Sequence, residues 1–443
     1  MSVRYDRLVP ALKTLLPEDT LSWLGRALAF IRRLREIEAS LFVWSVVLSR
    51  FGSGRPAFEQ ARQWYERLGG ASIWRRPFQM RFKTPAAVRL LEQAFRTAVT
   101  PWRDPRQRRA RHPLQRCFPD IVVWDSTLMQ VADSLKKVFK GTRSARASLK
   151  ACLAISVFGL LPLFAEVGAG NRHDMVLFPP LHLFQRGTLL LFDKGFACYA
   201  RLREIVGAGH HYLCPMRLNG NALIVKVRCA PAYVRKALRR HPEGIFLRDI
   251  LSAKKRLGRA WDLDVLVRPQ ANATDKTWIH TRLVIVPGPE GKQHPYLTSL
   301  TARLWKPCAL RELYRLRWQI EVVFKELKQS LNLEALPSTD RHAVQVLAWA
   351  SLLALALSRC VAAWIQPLAL MTGLASRTRP HLITRALRAT VRLLGHALAA
   401  PARRALIYLR LLADELLREA RSLETAREDS FRRLLPMLPP SLA

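Results

Sequence analysis

Residues 121–125 read Ile-Val-Val-Trp-Asp, and residues 189–193 read Leu-Leu-Leu-Phe-Asp. Each is a short apolar run typical of a buried strand, and each ends in one aspartate. If the two strands are neighbours in one sheet, Asp125 and Asp193 come side by side at its rim, where open α/β sheets place their sites. Adjacent unneutralised carboxylates repel each other, so a shared divalent cation is the natural resolution. The alternative is that each aspartate is an ordinary turn residue after its strand.

The segments around these two runs predict a mixed α/β fold. Residues 149–167 contain two further apolar runs, which with residues 121–124 suggest a three-strand meander. A helical pattern at residues 199–207 follows the second aspartate run, so helices are expected on the faces of a mixed sheet. Residues 217–300 alternate strand-like runs with basic loops and predict a separate β-rich insertion, and the chain after them is almost wholly helical.

The charge of the chain restricts its partners. Its 443 residues include 72 Lys and Arg against 33 Asp and Glu, which gives 72 minus 33, or +39. Half of the residues are apolar, so the chain is folded, and an excess this basic indicates a polyanionic partner, either nucleic acid or an anionic membrane. The apolar stretch between His342 and Arg359 is shorter than the ~20 residues that a bilayer needs, which favours a buried helix. Because the first ten residues carry no signal-peptide core, we expect a cytoplasmic protein without a membrane partner.

An arginine-rich linker, residues 102–116, separates the helical N-terminal region from the predicted sheet. It contains six arginines and one aspartate, and its prolines prevent a continuous helix. One interpretation is a solvated hinge. The other is an extended strap that follows a phosphate backbone, in which Arg106, Arg108 and Arg109 contact DNA.

Residues 313–331 predict a docked helix with one chemically mixed stripe. At about 100° per residue, four functional side chains fall on one face of a continuous helix. They are Tyr314, Arg317, Glu321 and Lys328. Lys325 joins this face, Glu326 does not, and apolar flanks indicate docking against a core. A solvent-exposed salt-bridge ladder is the alternative, but a docked helix with one acid among bases suits a site that holds both a metal and a phosphate.

The spacing of that stripe resembles a known signature. Tyr-x2-Arg-x3-Glu-x6-Lys matches the Y-R-E-K motif of bacterial DDE transposases of insertion sequence family four. Residues 124–127, Trp-Asp-Ser-Thr, resemble the family's first-Asp strand, and residues 193–196, Asp-Lys-Gly-Phe, its second-Asp motif. The resemblance covers about residues 117–340 and implies an RNase H-like mixed sheet interrupted by a β-rich insertion between the second Asp and the Glu.

The resemblance also implies chemistry. Asp125, Asp193 and Glu321 would hold two Mg²⁺ ions, for which Mn²⁺ can substitute, in cut-and-paste DNA transposition. Tyr314, Arg317 and Lys328 would bind phosphate near the cut end. Lys325 and Trp318 join the three linker arginines as possible DNA contacts. The implied partners are double-stranded DNA, as terminal inverted repeats and target, and a second copy of the chain in a homodimeric synaptic complex at the bacterial nucleoid.

Five regions follow from the pattern and the resemblance together. They are a helical DNA end-binding region with the arginine-rich linker (1–116), the first part of the catalytic core (117–216), the β-rich insertion (217–300), the second part of the core with the Glu helix (301–371) and a helical C-terminal region (372–443).

Several questions stay open at this level. The chain could be an inert DNA-binding regulator derived from a transposase, or a nuclease that cleaves but never joins strands. His173 and Asp174 resemble a Gly-x-x-His-Asp segment of the family and could form a capped turn or contribute a metal ligand. The apolar stripe of the C-terminal region could pack against the chain's own core or pair two protomers.

Overall fold

A computed structural model describes most of the chain. The described residues are 5–32, 37–52, 57–107, 112–142, 146–196, 198–216, 222–251, 259–267, 277–288, 292–373, 379–422 and 433–437.

The centre of the fold is a five-strand unit in which the two aspartate strands are neighbours. Its strands are β1 (Ile121–Gln130), β2 (Ser148–Ser156), β3 (Leu161–Ala169), β4 (Leu189–Phe192) and β5 (His211–Pro215). Their order is β3-β2-β1-β4-β5. The first three strands form an antiparallel meander, whereas β1, β4 and β5 run parallel. The predicted RNase H-like mixed sheet is therefore confirmed.

Five further strands extend this sheet. They are β6 (Ala222–Cys229), β7 (Ile245–Phe246), β8 (Trp261–Val267), β9 (Ile279–Pro287) and β10 (Gln293–Thr298). The sequence pattern predicts a separate β-rich unit here, but β10 pairs antiparallel with β5, with Leu297 opposite Cys214, and the order continues β10-β9-β8-β6-β7. The pairing covers the edge of β5, whose backbone groups would otherwise stay unpaired.

Helices cover both faces of the sheet. The N-terminal helices are α1 (Leu8–Leu15), α2 (Glu18–Ala27), α3 (Ala39–Ser49), α4 (Ala57–Arg67), α5 (Arg75–Phe82) and α6 (Pro85–Val99). On the opposite face lie α7 (Tyr199–Gly207), α8 (Ala232–Arg240) and α9 (Leu247–Leu251). The remaining helices are α10 (Pro307–Arg315), α11 (Trp318–Gln329), α12 (Arg341–Met371), α13 (Pro380–Ala399) and α14 (Ala402–Ser422). They share the larger core with the N-terminal helices.

Alternation along β1 assigns its side chains to these two cores. Ile121 and Val123 lie in the core that the N-terminal and C-terminal helices cover. Val122 and Trp124 lie in the core beneath α7 to α9. Successive side chains of a strand point to opposite faces of the sheet, so neighbouring residues of β1 necessarily belong to different cores.

The long apolar helix α12 is the spine of the larger core. By length and composition it could cross a membrane, but 89% of its most apolar window is buried inside the protein. Its two buried serines, Ser351 and Ser358, donate their hydroxyls to backbone carbonyls, which satisfies them without water. The predicted buried helix is confirmed.

The apolar stripe of the C-terminal region packs in cis. Helices α13 and α14 pack against each other and against α12. Leu387, Leu394, Leu412 and Leu416 are all buried within the chain. Of the two interpretations of this stripe, burial against the chain's own core is confirmed, and the stripe is covered before any second protomer is present.

Candidate active site

The parallel register of β1 and β4 brings the two predicted aspartates together. Trp124 is opposite Phe192, and this is the last pair of the ladder. Asp125 and Asp193 are the next residue on each strand. By alternation they lie on the face of Val123 and Leu191, which belong to the core that contains α10 and α11.

One detail of the predicted strand is wrong. The sequence suggests that β1 ends at Asp125, but β1 continues to Gln130, and Asp125 is opposite Leu153 of β2. The polar residues after Asp125 remain in the sheet because β2 pairs with them, whereas β4 stops at Phe192. From Asp125 onward, β1 is therefore paired with β2 on one side but no longer with β4 on the other. The edge of β1 that faces β4 is unpaired from this point.

The predicted helix over residues 313–331 is divided in two. Helix α10 ends at Arg315 and α11 begins at Trp318. Between them the Leu316 and Arg317 amides donate to carbonyls three residues back, at 3.1 and 3.0 Å, which is the tighter 3₁₀ pattern. In such a turn residues i and i+3 eclipse, and the Arg317 guanidinium lies 5.9 Å from the centre of the Tyr314 ring. The division therefore keeps these two predicted residues together.

Arg317 joins the strand aspartate to the helix glutamate. Its Nη1 donates to Asp125 Oδ2 at 3.1 Å, and its Nη2 donates to Glu321 Oε1 at 2.6 Å. The side chain is largely buried, and its Nε has no hydrogen-bond partner in the described part of the chain. The guanidinium thus bridges two carboxylates that are 196 residues apart in sequence, by 321 minus 125, and its Nε is buried without a hydrogen bond among the described residues.

The electrostatics of Asp125 identify its neighbours. Burial raises the pKa of Asp125 to about 6, and the charges of Asp193 and Glu321 add to the rise. The Ser126 amide and the Arg317 guanidinium oppose it. Three carboxylates and one guanidinium are therefore close enough to influence one another electrostatically. At neutral pH the Asp125 carboxyl is still mostly ionised, because its pKa of about 6 lies below 7.

Tyr314 lies against the same site as a neutral donor. Its ring packs against Tyr296, with centroids 5.0 Å apart. Burial raises the pKa of the Tyr314 hydroxyl far above its usual range, Asp193 raises it further, and Arg317 lowers it. The hydroxyl stays protonated, so it can donate a hydrogen bond to an anion but cannot act as a base near neutral pH.

Lys328 is the outlying member of the predicted stripe. Its Nζ pairs with Glu334 Oε1 at 2.9 Å, in the segment that follows α11. Lys325 is exposed on the same helix. The structure therefore gathers Tyr314, Arg317 and Glu321 around Asp125, and it places both lysines further along the helix.

The other predicted DNA contacts divide into three cases. Trp318 is 62% exposed and lies 5.9 Å from the Arg317 guanidinium, so its ring is accessible beside the site. Arg106 is exposed and pairs with Asp104 at 3.1 Å. Arg108 and Arg109 lie outside the described residues.

Helical spacing predicts that Glu326 lies off the functional stripe, but it does not predict the ion pair that Glu326 makes. Its two carboxylate oxygens accept from Arg359 Nη1 and Nη2, both at 2.7 Å, and both side chains are buried. In the sequence, Arg359 at the end of the apolar run of α12 indicates that a partner of opposite charge is needed, because a buried charge is costly without one. The pair fastens α11 to α12.

The donor chemistry of the site fits divalent cations. Carboxylate oxygens are the ligands that Mg²⁺ and Mn²⁺ prefer, and Asp125, Asp193 and Glu321 supply them at one rim. The bridge made by Arg317 shows that Asp125 and Glu321 already share one positive group. Among the described residues no three His, Cys, Asp or Glu side chains converge tightly enough to hold a metal ion.

Comparisons with known proteins identify the family of this chain. The model of the transposase DDE domain family matches residues 116–357, which is more than half of the chain. The transposase of insertion sequence element IS231F from Bacillus thuringiensis subsp. israelensis is 23% identical over 270 residues, 54% of this chain and 55% of that protein. The match thus spans about half the length of this relative.

A solved structure is similar only in outline. It is the cryo-EM structure of the piggyBac transposase in a synaptic complex with hairpin DNA. The match has 9% identity and a TM-score of 0.44, and covers 98% of this chain and 85% of that one. At this level the likeness supports no argument about function. The family match covers both aspartates and the glutamate, and the chain belongs to the transposase DDE domain family.

Proposed function

We propose that this protein is the transposase of an insertion sequence, which binds double-stranded DNA at terminal inverted repeats and catalyses its cleavage and strand transfer with divalent metal ions. The observation that carries the proposal is the parallel register of β1 and β4, which makes Asp125 and Asp193 neighbours, together with the Arg317 bridge to Glu321. A net charge of +39 supports a nucleic-acid partner.

In this proposal the three carboxylates hold two Mg²⁺ ions, or Mn²⁺ in their place. When bound, the ions supply activation of the attacking oxygen and stabilisation of the leaving oxygen of the phosphodiester. Asp125 and Asp193 provide ligands from adjacent strands, so their spacing is set by the sheet. Glu321 approaches from α11, whose position is set by its packing against the core.

The remaining residues of the site bind and orient the phosphate. Arg317 Nε is buried and makes no hydrogen bond among the described residues, so it can donate to a phosphate oxygen when the side chain moves, and the protonated Tyr314 hydroxyl offers a second donor. Lys328 can join them when it exchanges Glu334 for a phosphate, since a solvent-accessible pair of this kind is weak. The exposed Trp318 ring is available for stacking on a base near the cut.

A plasmid carrying paired terminal repeats tests this function. With Mg²⁺ we expect double-strand breaks at the repeat ends and joined products in a target plasmid, and with EDTA we expect neither. Binding to repeats without any cleavage by the wild type would favour the inert regulator. Cleavage without joined products would favour the simple nuclease. Inverted repeats bounded by short direct repeats around the coding region would independently support a mobile element.

Assembly and location complete the proposal. Cut-and-paste movement needs both ends in one complex, so we propose a homodimer that forms on two repeat ends at the bacterial nucleoid in the cytoplasm. Because +39 per chain opposes protein-only association, DNA should promote the dimer. Mass photometry with one and two equivalents of repeat DNA would measure it, and a complex that stays one chain to one end would contradict it.

A further inference from the structure

A buried lysine lies behind the aspartate strand. Lys150 on β2 is 7% exposed, and its Nζ donates to Asp174 Oδ1 at 2.8 Å and to the Arg172 carbonyl at 2.7 Å. A buried ammonium is costly unless it is paired, so Asp174 is held firmly at this position.

The same oxygen of Asp174 reaches the strand that carries Asp125. Ser126 Oγ donates to Asp174 Oδ1 at 3.1 Å. The backbone amide of Ser126 donates to Asp125 Oδ1 at 2.8 Å. A continuous chain of contacts therefore runs from Lys150 through Asp174 and Ser126 to Asp125.

The second oxygen of Asp174 faces the other aspartate strand. A Cβ built on Gly195 would lie 3.9 Å from Asp174 Oδ2. Gly195 belongs to the turn Lys194–Phe196, which directly follows Asp193. Asp174 thus lies next to the residue after Asp125 and close to the turn after Asp193.

This cluster is on the reverse face of the sheet. Ser126 is two residues from Trp124, which lies in the core beneath α7 to α9, and Cys152 opposite Ser126 lies in that core as well. Asp125 and Glu321 are on the other face. Asp174 therefore supports the acid-bearing strands from behind and does not face the substrate side.

We propose that Asp174, anchored by Lys150, is a positioning residue that sets the geometry of Asp125 and Asp193 for a divalent cation. It acts on Asp125 through the hydroxyl and the backbone amide of Ser126, and on Asp193 through the turn that follows it. This inference rests on the proposed function and assigns a role to the His173-Asp174 segment. Outer-shell partners of metal-binding carboxylates typically change metal affinity by about 10- to 100-fold.

Mn²⁺ binding, measured by electron paramagnetic resonance on the full-length protein, tests the inference without relying on turnover. Asp174→Ala should weaken Mn²⁺ binding by about 10- to 100-fold, and Ser126→Ala should weaken it less, because its amide still donates to Asp125. Glu166→Gln is the matched control. Glu166 pairs with Arg172 at 2.8 Å in the same neighbourhood, and its loss should leave Mn²⁺ binding unchanged. Repeat-DNA binding should be equal in all four proteins.

A second measurement separates positioning from simple charge compensation. If Asp174 only neutralises Lys150, the double variant Lys150→Met/Asp174→Ala should bind Mn²⁺ like the wild type, which would overturn the inference. If Asp174 positions the acids, the double variant should stay weak, and cleavage by Asp174→Ala should recover as Mn²⁺ is raised. Should Asp174→Ala fail to fold, Ser126→Ala alone decides, since wild-type affinity there would also overturn the inference.

Failure of the proposed function gives a different pattern. In that case the wild type and Asp125→Asn would bind Mn²⁺ equally and neither would cleave repeats. If instead Asp125→Asn loses the Mn²⁺ signal while Asp174→Ala keeps it at wild-type strength, the proposed function stands and the role of Asp174 is wrong.

Discussion

The two glutamates of helix α11, Glu321 and Glu326, each pair with an arginine, but the two pairs lie in opposite surroundings. Glu321 and Arg317 lie at the rim of the sheet, with side chains 37% and 14% exposed. Glu326 lies about one and a half turns further along α11 and pairs with Arg359 of α12, with both side chains 1% exposed. The first pair reaches the aspartate strand β1, where Arg317 contacts Asp125.

The two pairs differ in how completely their hydrogen bonds are used. Arg359 donates through Nη1 and Nη2 to both oxygens of Glu326, and its Nε donates to the Leu160 carbonyl at 2.9 Å. Arg317 donates through one nitrogen to each of two acids, and its Nε makes no hydrogen bond within the part of the chain that the structure describes. The Glu326–Arg359 pair is fixed, because exchanging either partner for another group would leave a buried charge unpaired. The Glu321–Arg317 pair is partly exposed, so Arg317 can bind a phosphate and Glu321 can exchange Arg317 for a cation. The degree of burial therefore distinguishes the structural pair from the functional one.

The strongest test of this contrast removes the charge of Glu321. We expect Glu321→Gln to lower single-turnover cleavage by at least about a thousandfold, since a lost metal ligand removes several kcal/mol of transition-state stabilisation. Repeat binding in a gel shift and the urea midpoint should stay close to wild type. Normal cleavage by this variant would remove Glu321 from the catalytic set.

Glu326→Gln should show the reverse pattern. The position of Glu326 off the functional stripe predicts a mild effect on cleavage. In the structure this change leaves the buried charge of Arg359 without its carboxylate, and we expect the free energy of unfolding to fall by about 3–5 kcal/mol. Urea denaturation measures it, and cleavage per folded molecule should be unchanged. The control Glu326→Leu/Arg359→Met removes both charges and should recover most of the loss. An unchanged urea midpoint for Glu326→Gln would show that this pair is not the structural one.

Arg317→Ala should slow cleavage by about 100-fold, the size typical for one lost anion-stabilising donor. Repeat binding should fall much less, because it is spread over many Lys and Arg contacts. Arg317→Lys should restore little, since an ammonium cannot bridge two carboxylates and a phosphate with planar donors. Gel-shift assays measure repeat binding and single-turnover assays measure cleavage of the same substrate. Equal losses of binding and of cleavage would contradict a role of Arg317 at the cut end.

The smallest effect is expected at Lys328. Its pair with Glu334 is partly exposed and should contribute at most about 1 kcal/mol to stability. Lys328→Ala should slow cleavage by about tenfold through a lost phosphate contact. Glu334→Gln, which frees Lys328 without removing it, should cleave at least as fast as wild type. Slower cleavage by Glu334→Gln would indicate that the pair itself, and not the free lysine, supports the site.

The local sequence pattern predicts those parts of the site that depend on residues close together in the sequence. Apolar runs ending in Asp125 and Asp193 predicted two buried strands, and their pairing in one sheet is confirmed. Helical periodicity brought Arg317 and Glu321 to one face, and they are in direct contact. The break between α10 and α11 escaped this reasoning, because a 3₁₀ turn changes the hydrogen-bond pattern without changing the residues that favour a helix.

The sequence by itself determined the elements, the acids and the charge, since these follow from composition and from the periods of strands and helices. Only the tertiary structure decided that β1 continues past Asp125, that β10 joins the insertion to β5, that Glu326 is buried, and that Asp174 lies behind the acids. Each of these depends on which distant segment docks where. Pairing across a sheet and burial of a charge are properties of that docking, and spacing along the chain does not encode them.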